Sequence, residues 1–597
     1  MKCLLSCLLI CVFATINFGQ HLRLTNEAQD FKNVKGMHSF DFSSAKLEEI
    51  IKKKSTQLVL DVELPNMPMS TVKLMRSQKF NHTRFLDADN NRIDFKPLIY
   101  TGHFQNSKSL ISLTFDDDGV FGIISVDGKN WNLSKDSTLK KQFMFSDDIL
   151  PLELYDGCEF KDSEEDIIID PAGNNVVELI DNQDKSIALS VVDVYLQADF
   201  ELFTDFGSDT TSALSYVSSL MTTVNILFNS ADIDLNFPDI KLWTSLDPYN
   251  APDASSSGQV LDRLICVLDG NYNGRIAHLV STVSKFGGIA NRKSSCPYNK
   301  PLYGFSRIFT NFNTDINIYS WSVNVIAHEI GHNLSSHHTH ACRWNGDDTQ
   351  IDDCGNTLST TNGSDSNCNG IIDDVDEAEG SDCYDINNPI LPMKGTIMSY
   401  CHAVGGVGVD LSLGFHPQVA ARMKSFVDNC LSPTATTYCP IVDTTEIQIT
   451  YPTPNSMQLM CTRIADVDTY AWKYKADISC EESIIVTTTL PVLVVENLYG
   501  NTPYEVECVI RCSSTLGYGD WSCPKTAHTS TCSPVQVLSG IVDGEEILEQ
   551  AGLTIHSDQQ FINGASVNYL FGNEANLNQG FLVNLGATFH AMVRSCE

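Results

Sequence analysis

Residues 321–334 read Trp-Ser-Val-Asn-Val-Ile-Ala-His-Glu-Ile-Gly-His-Asn-Leu. The run holds no proline, and Ser320 is placed to cap its start, so the pattern predicts a helix. On a helix, His328 and His332 stand one turn apart on the same face. Two imidazole nitrogens at that spacing can grip one zinc ion at roughly 2.0–2.1 Å. Glu329, beside the first of them, can project into the same cavity without coordinating. There it is suited to take a proton from a metal-activated water and pass it to a leaving amine. His338 stands six residues beyond His332, where a turn after the helix can return a third ligand, with His337 and His340 as rivals. With 15 histidines in 597 residues, a chance His-Glu-x-x-His has a probability of roughly 2%, so the short motif alone is only suggestive.

Two further segments bear on the same chemistry. Gly395-Thr-Ile-Met-Ser-Tyr-Cys401 is a methionine-containing turn about sixty residues downstream. Between helix and turn, twelve carboxylates fall from Asp347 to Asp385, with no Lys or Arg between Arg343 and Lys394. Inside that stretch Asp365, Asn367, Asn369, Asp373 and Asp376 occupy positions 1, 3, 5, 9 and 12 of a loop, with Gly370 at position 6. This is the spacing of an EF-hand-like calcium loop, ending on aspartate instead of glutamate. Calcium is the expectation; a solvated acidic loop pinned by disulfides is the plainer reading.

Taken together, the three histidines, the glutamate and the methionine turn resemble the metzincin metalloproteases, whose pattern is His-Glu-x-x-His-x-x-Gly-x-x-His followed by a Met-turn. The resemblance is to the reprolysin (adamalysin-like) group, particularly secreted bacterial members, and covers roughly 187–430. It implies zinc ligands His328, His332 and His338, Glu329 as general base, and Met398 as the apolar floor under the metal. It also implies that Gly287, Gly288, Ile289 and Ala290 belong to an edge strand that pairs with extended substrate. Two positions depart from the pattern. Ser335 replaces the motif glycine, which costs on the order of 1 kcal/mol if the position needs positive φ. Thr339 follows the third histidine where venom-type enzymes carry aspartate, which keeps the pappalysin group in contention. Tyr400, two residues after the methionine, is either an oxyanion-stabilising hydroxyl or a packed aromatic.

These groups need a scaffold and a compartment. Met1-Lys2, the apolar run Leu4 to Ala14 and the junction near Gly19 have signal-peptide architecture, too short to span a membrane. Of 20 cysteines, three depart with that leader, and the 17 left are odd in number. Cys158 is the only one between residues 12 and 265. It is a candidate latency switch whose thiolate would fill zinc's fourth position in a proenzyme, with a free buried cysteine or an intermolecular bridge as alternatives. The remaining 16 suit an oxidising, extracellular location. Acidic residues outnumber basic ones 74 to 39, for a net charge of −35, which argues against nucleic acid or an anionic membrane as partner.

The chain divides accordingly. After the leader (1–19) comes a mainly β propeptide (20–185), with strands expected at 57–64 and 110–115. The zinc metalloprotease domain (186–432, acidic insertion 346–393) is α+β, a twisted mixed sheet with the active-site helix. Its strands are expected at 189–195 and 233–243 and a helix at 211–228. A linker at 433–438 leads to all-β modules. Residues 437–530 resemble a fibronectin type III sandwich, with Trp472 as core tryptophan and Tyr504 as corner tyrosine. Residues 532–597 resemble small β-rich repeat modules of secreted bacterial proteins. The expected function is a secreted zinc endopeptidase made as a zymogen and acting on protein or peptide substrates. The alternative is a calcium-dependent extracellular adhesion protein with an inactive protease fold. A matrix or cell-surface ligand for the tail modules is expected in either case.

Overall fold

Side-chain alternation explains the N-terminal architecture in the computed structural model, which describes residues 20–149, 189–431 and 447–593 apart from short internal stretches. Those stretches include 284–286, 292–300, 310–317 and 358–382. The leader, Cys158, the Asp365–Asp376 loop and the linker at 433–438 lie outside the described residues. Ten strands between Gln20 and Ser146 form one sheet, closed because Gln20–Leu24 pairs with both Gln57–Val62 and Val34–Asp41. Strand Gly119–Val126 is buried along its whole length. Its period of two sends Val120, Ile124 and Val126 into an inner core, while Phe121 and Ile123 face outward into a second one. In Lys141–Ser146, Met144 likewise points inward and Phe143 and Phe145 outward. A strand apolar on both faces must be covered on both. The outer cover here is the domain that follows.

That domain is built on a second sheet. Its spatial order is Gly288–Ala290, Leu302–Arg307, Ile276–Ser281, Ser190–Ala198 and Asp239–Leu242, then Arg84–Leu86 and Arg92–Ile93 from the N-terminal segment. The inner pairings are parallel, and the two outermost are antiparallel. The strand expected at 233–243 is two, Ile233–Asn236 and Asp239–Leu242. Pro238 breaks the run because it has no N–H for a ladder. Both pieces pair with Ser190–Ala198. Helix Thr210–Asn229 starts where the Asp209 carboxylate accepts the Ser212 N–H and packs beside helix Tyr319–Asn333.

Ser320 is not the cap expected of it. The helix begins at Tyr319, after an Ile318 that offers no side-chain cap. The Ser320 N–H donates instead to Asn132 Oδ1 at 2.7 Å, from the N-terminal segment. Every residue of this helix is buried, so its start has no water to satisfy the orphan donors that all helices leave. A side chain far away in sequence fills that role.

The tail holds two β modules. In the first, Trp472 is fully buried between two sheets, and the Tyr504 hydroxyl accepts the Tyr499 N–H at 2.7 Å, the contact expected of a corner tyrosine. In the second, each strand pairs in parallel with one a coil later, as Val535–Leu538 does with Thr554–Ser557 and that with Glu574–Leu577. Three such ladders make a three-coil solenoid around Phe561, Tyr569 and Phe589. Among the described residues no helix is long and apolar enough to cross a membrane.

Candidate active site

The Tyr319–Asn333 helix carries His328 and His332 into a buried pocket, with side chains 1% and 2% exposed. His338 joins them. Its Nε2 lies 3.2 Å from His328 Nε2 and 3.1 Å from His332 Nε2. A tetrahedral ion bound to each nitrogen at roughly 2.0–2.1 Å would set them about 3.3 Å apart, so the donor set fits zinc. Burial holds the His328 imidazole well below its ordinary pKa, and the neighbouring histidines push the same way. A neutral imidazole keeps the lone pair a metal needs. The His332 Nδ1–H donates to the Ser336 carbonyl at 2.9 Å. That bond settles the tautomer and turns Nε2 toward the other two rings.

The chain after the helix decides which histidine comes third. Ser336 N–H donates to the Gly331 carbonyl at 3.0 Å and Ser335 N–H to the His332 carbonyl at 2.8 Å. This is a Schellman ending, whose reversal residue must be left-handed. That residue is Ser335, at φ 71°. Arg422, from helix Pro417–Asn429, donates through Nε to the Ser335 carbonyl at 2.5 Å and through Nη2 to its hydroxyl at 3.3 Å. Trp344 Nε1 then holds the His338 carbonyl at 2.7 Å. His337 turns toward Trp344, and His340 stacks flat behind His338 with centroids 4.9 Å apart. Neither belongs to the converging trio. A second group, Asp352 with Cys354 and Cys401, offers no thiolate because those cysteines are bonded to each other.

Met398 lies beneath the site at φ 77° and fully buried. A Cβ on Gly331 would stand 2.5 Å from its sulfur, so the helix can pass over the methionine only as glycine. The Tyr400 ring lies 4.7 Å from that of His338 and 6.0 Å from that of His328. Glu329 is 1% exposed and lies against the edge strand. A Cβ on Gly288 would come within 2.3 Å of its Oε1. Gly288, Ile289 and Ala290 form that outermost strand, antiparallel to Leu302–Arg307, and Gly287 precedes them, its carbonyl accepting the Arg307 N–H. The residues that sequence reasoning missed are Arg422, Trp344 and Asn132. Each acts on a partner distant in sequence or on its main chain, and no local pattern announces that.

Residues 188–370 match the Reprolysin_5 model, described as Metallo-peptidase family M12. Over that span, which includes the edge strand and all three histidines, the chain is similar to M12 metallopeptidases. Solved structures similar to part of the chain include the fn3 domain of human collagen alpha-1(XX) chain. It is 19% identical, with a TM-score of 0.14 over 15% of this chain and 85% of that one. The FN1-FN3 domains of chicken CNTN1 are also 19% identical, with a TM-score of 0.13 over 15% of this chain and 33% of that one.

Proposed function

We propose that this protein is a secreted zinc endopeptidase, synthesised as a zymogen, that cleaves extended protein substrates. The observation that carries the reading is the convergence of three imidazole nitrogens beside a buried glutamate. Zinc, when bound by His328, His332 and His338, supplies Lewis acidity for a scissile carbonyl and eases deprotonation of a water. Glu329 accepts that proton and delivers it to the leaving nitrogen; its near-complete burial suits the transfer by excluding competing solvent. The outer edge of Gly288–Ala290 offers main-chain groups to an extended peptide, which fixes the peptide beside Glu329. Tyr400 is read as the group that steadies the developing oxyanion. Ser335, the ground for an inactive fold, is left-handed, and His338 Nε2 lies within 3.2 Å of both other nitrogens, which supports the active reading.

Cys158 as latency switch and calcium on Asp365, Asn367, Asn369, Asp373 and Asp376 belong to the same reading and rest on sequence alone. One experiment tests the whole: elemental analysis for zinc and calcium, with casein cleavage assayed with and without chelator. One zinc per chain and chelator-sensitive cleavage are expected. Glu329→Gln should keep zinc and lose turnover, Tyr400→Phe should lower turnover, and a Cys158→Ser precursor should be active without processing. Undiminished turnover in Glu329→Gln would overturn the mechanism. An equally latent Cys158→Ser, a fully active Tyr400→Phe or a calcium-free protein would each remove that element.

A further inference from the structure

Within the expected propeptide (20–185), the described part, residues 20–149, is joined closely to the domain that follows. Arg84–Leu86 extends the metallopeptidase sheet by pairing in parallel with Asp239–Leu242. Arg84 donates through Nε and a terminal nitrogen to both Asp239 oxygens, each at 2.6 Å, and the Asp239 side chain is 4% exposed. Phe85, Phe121, Ile123, Phe143 and Phe145 belong to one continuous core with the two long helices of the site domain. Polar groups are matched across the same seam. Thr114 Oγ1 donates to Ser219 Oγ at 2.7 Å, and Asn130 Nδ2 to the Val409 carbonyl at 2.6 Å. Asn132 caps the very helix that carries His328, Glu329 and His332. Departure of the segment would expose that core and strand these partners.

The sheet order puts Arg84–Leu86 and Arg92–Ile93 at one end and Gly288–Ala290 at the other, so the pairing that anchors the N-terminal segment is made at the end of the sheet away from the substrate edge. We infer that residues 20–149 remain after activation as a non-covalent subunit of a two-chain protein. Proteolysis between 150 and 188 would release restraint without releasing the barrel. This goes beyond the peptidase reading, because association is measurable whether or not the site is active.

The test inserts a recognition sequence for a site-specific protease between residues 161 and 175 of the full chain and cuts it after folding. The two fragments should co-elute in equal amounts on size exclusion in native buffer and separate only in denaturant. Arg84→Ala, cut in the same way, should raise the rate at which the barrel leaves by about thirtyfold, because it leaves the buried Asp239 carboxylate with no charged donor and only the Asn273 amide at 3.2 Å. Elution of the barrel apart from the remainder in native buffer would overturn the inference. So would an Arg84→Ala release rate equal to that of the parent.

Discussion

Gly288→Ala isolates the coupling between the edge strand and the general base. The added methyl carbon would lie 2.3 Å from Glu329 Oε1, 2.6 Å from its Cγ and 2.7 Å from its Cδ. Ordinary carbon–oxygen contact begins near about 3.3 Å, so carboxylate and strand must separate by roughly 1 Å. A misplacement of that size costs about 10²-fold in rate, or about 2.7 kcal/mol of barrier. The histidines are held by their helix and by the Ser335–Ser336 turn, so zinc content should not change. The expected result is a kcat lower by about 10²-fold at full zinc stoichiometry. The double variant with Glu329→Gln should be little worse than Glu329→Gln alone, because both changes act on one group. If the strand moves instead of the carboxylate, the loss appears in KM. A zinc-replete Gly288→Ala enzyme within threefold of the parent in both constants would refute the proposed contact between base and substrate strand.

Other perturbations address the supports of the site. Arg422→Ala removes the guanidinium from a left-handed Ser335, a conformation that costs a non-glycine residue roughly 1–2 kcal/mol. Zinc affinity should fall about 10- to 100-fold by chelator competition, and adding Ser335→Gly should restore part of it; unchanged affinity in Arg422→Ala would show that the clamp is idle. Asp199, fully buried at the start of helix Phe200–Asp205, is pushed up to about 8 by burial, against the bond it accepts from the Leu202 N–H, with Asp247 and Glu201 adding to the rise. Because its folded value lies above the unfolded one, its contribution to stability is full below about pH 4 and is lost as pH rises toward 8, at up to about 1.4 kcal/mol per pH unit. Asp199→Asn should flatten the pH dependence of denaturant unfolding across that window, and slopes identical to the parent's would contradict the assignment.

Local chemistry in the sequence was enough for the helix, for two ligands one turn apart and for the glutamate beside them, because the helical period alone puts His328 and His332 on one face. For Trp472 and Tyr504 it was the resemblance to a fibronectin type III sandwich that supplied their roles, and the burial of one and the hydroxyl contact of the other agree with it. Motif spacing favoured His338 over His337 and His340, but what holds it in place was not legible in the sequence. That placement depends on a left-handed serine clamped by an arginine 87 positions away and on a tryptophan holding the His338 carbonyl. The cap of the active-site helix was misassigned for the same reason: Asn132 lies 188 residues from Ser320, and no spacing rule links them. Nor could alternation alone tell what covers the outer face of Gly119–Val126. A pattern apolar on both sides says that a strand is enclosed, but the enclosing helix Thr210–Asn229 is brought to it only by tertiary packing. Periodicity is a property of neighbouring residues; enclosure, clamping and capping across a seam arise only when distant segments share one core.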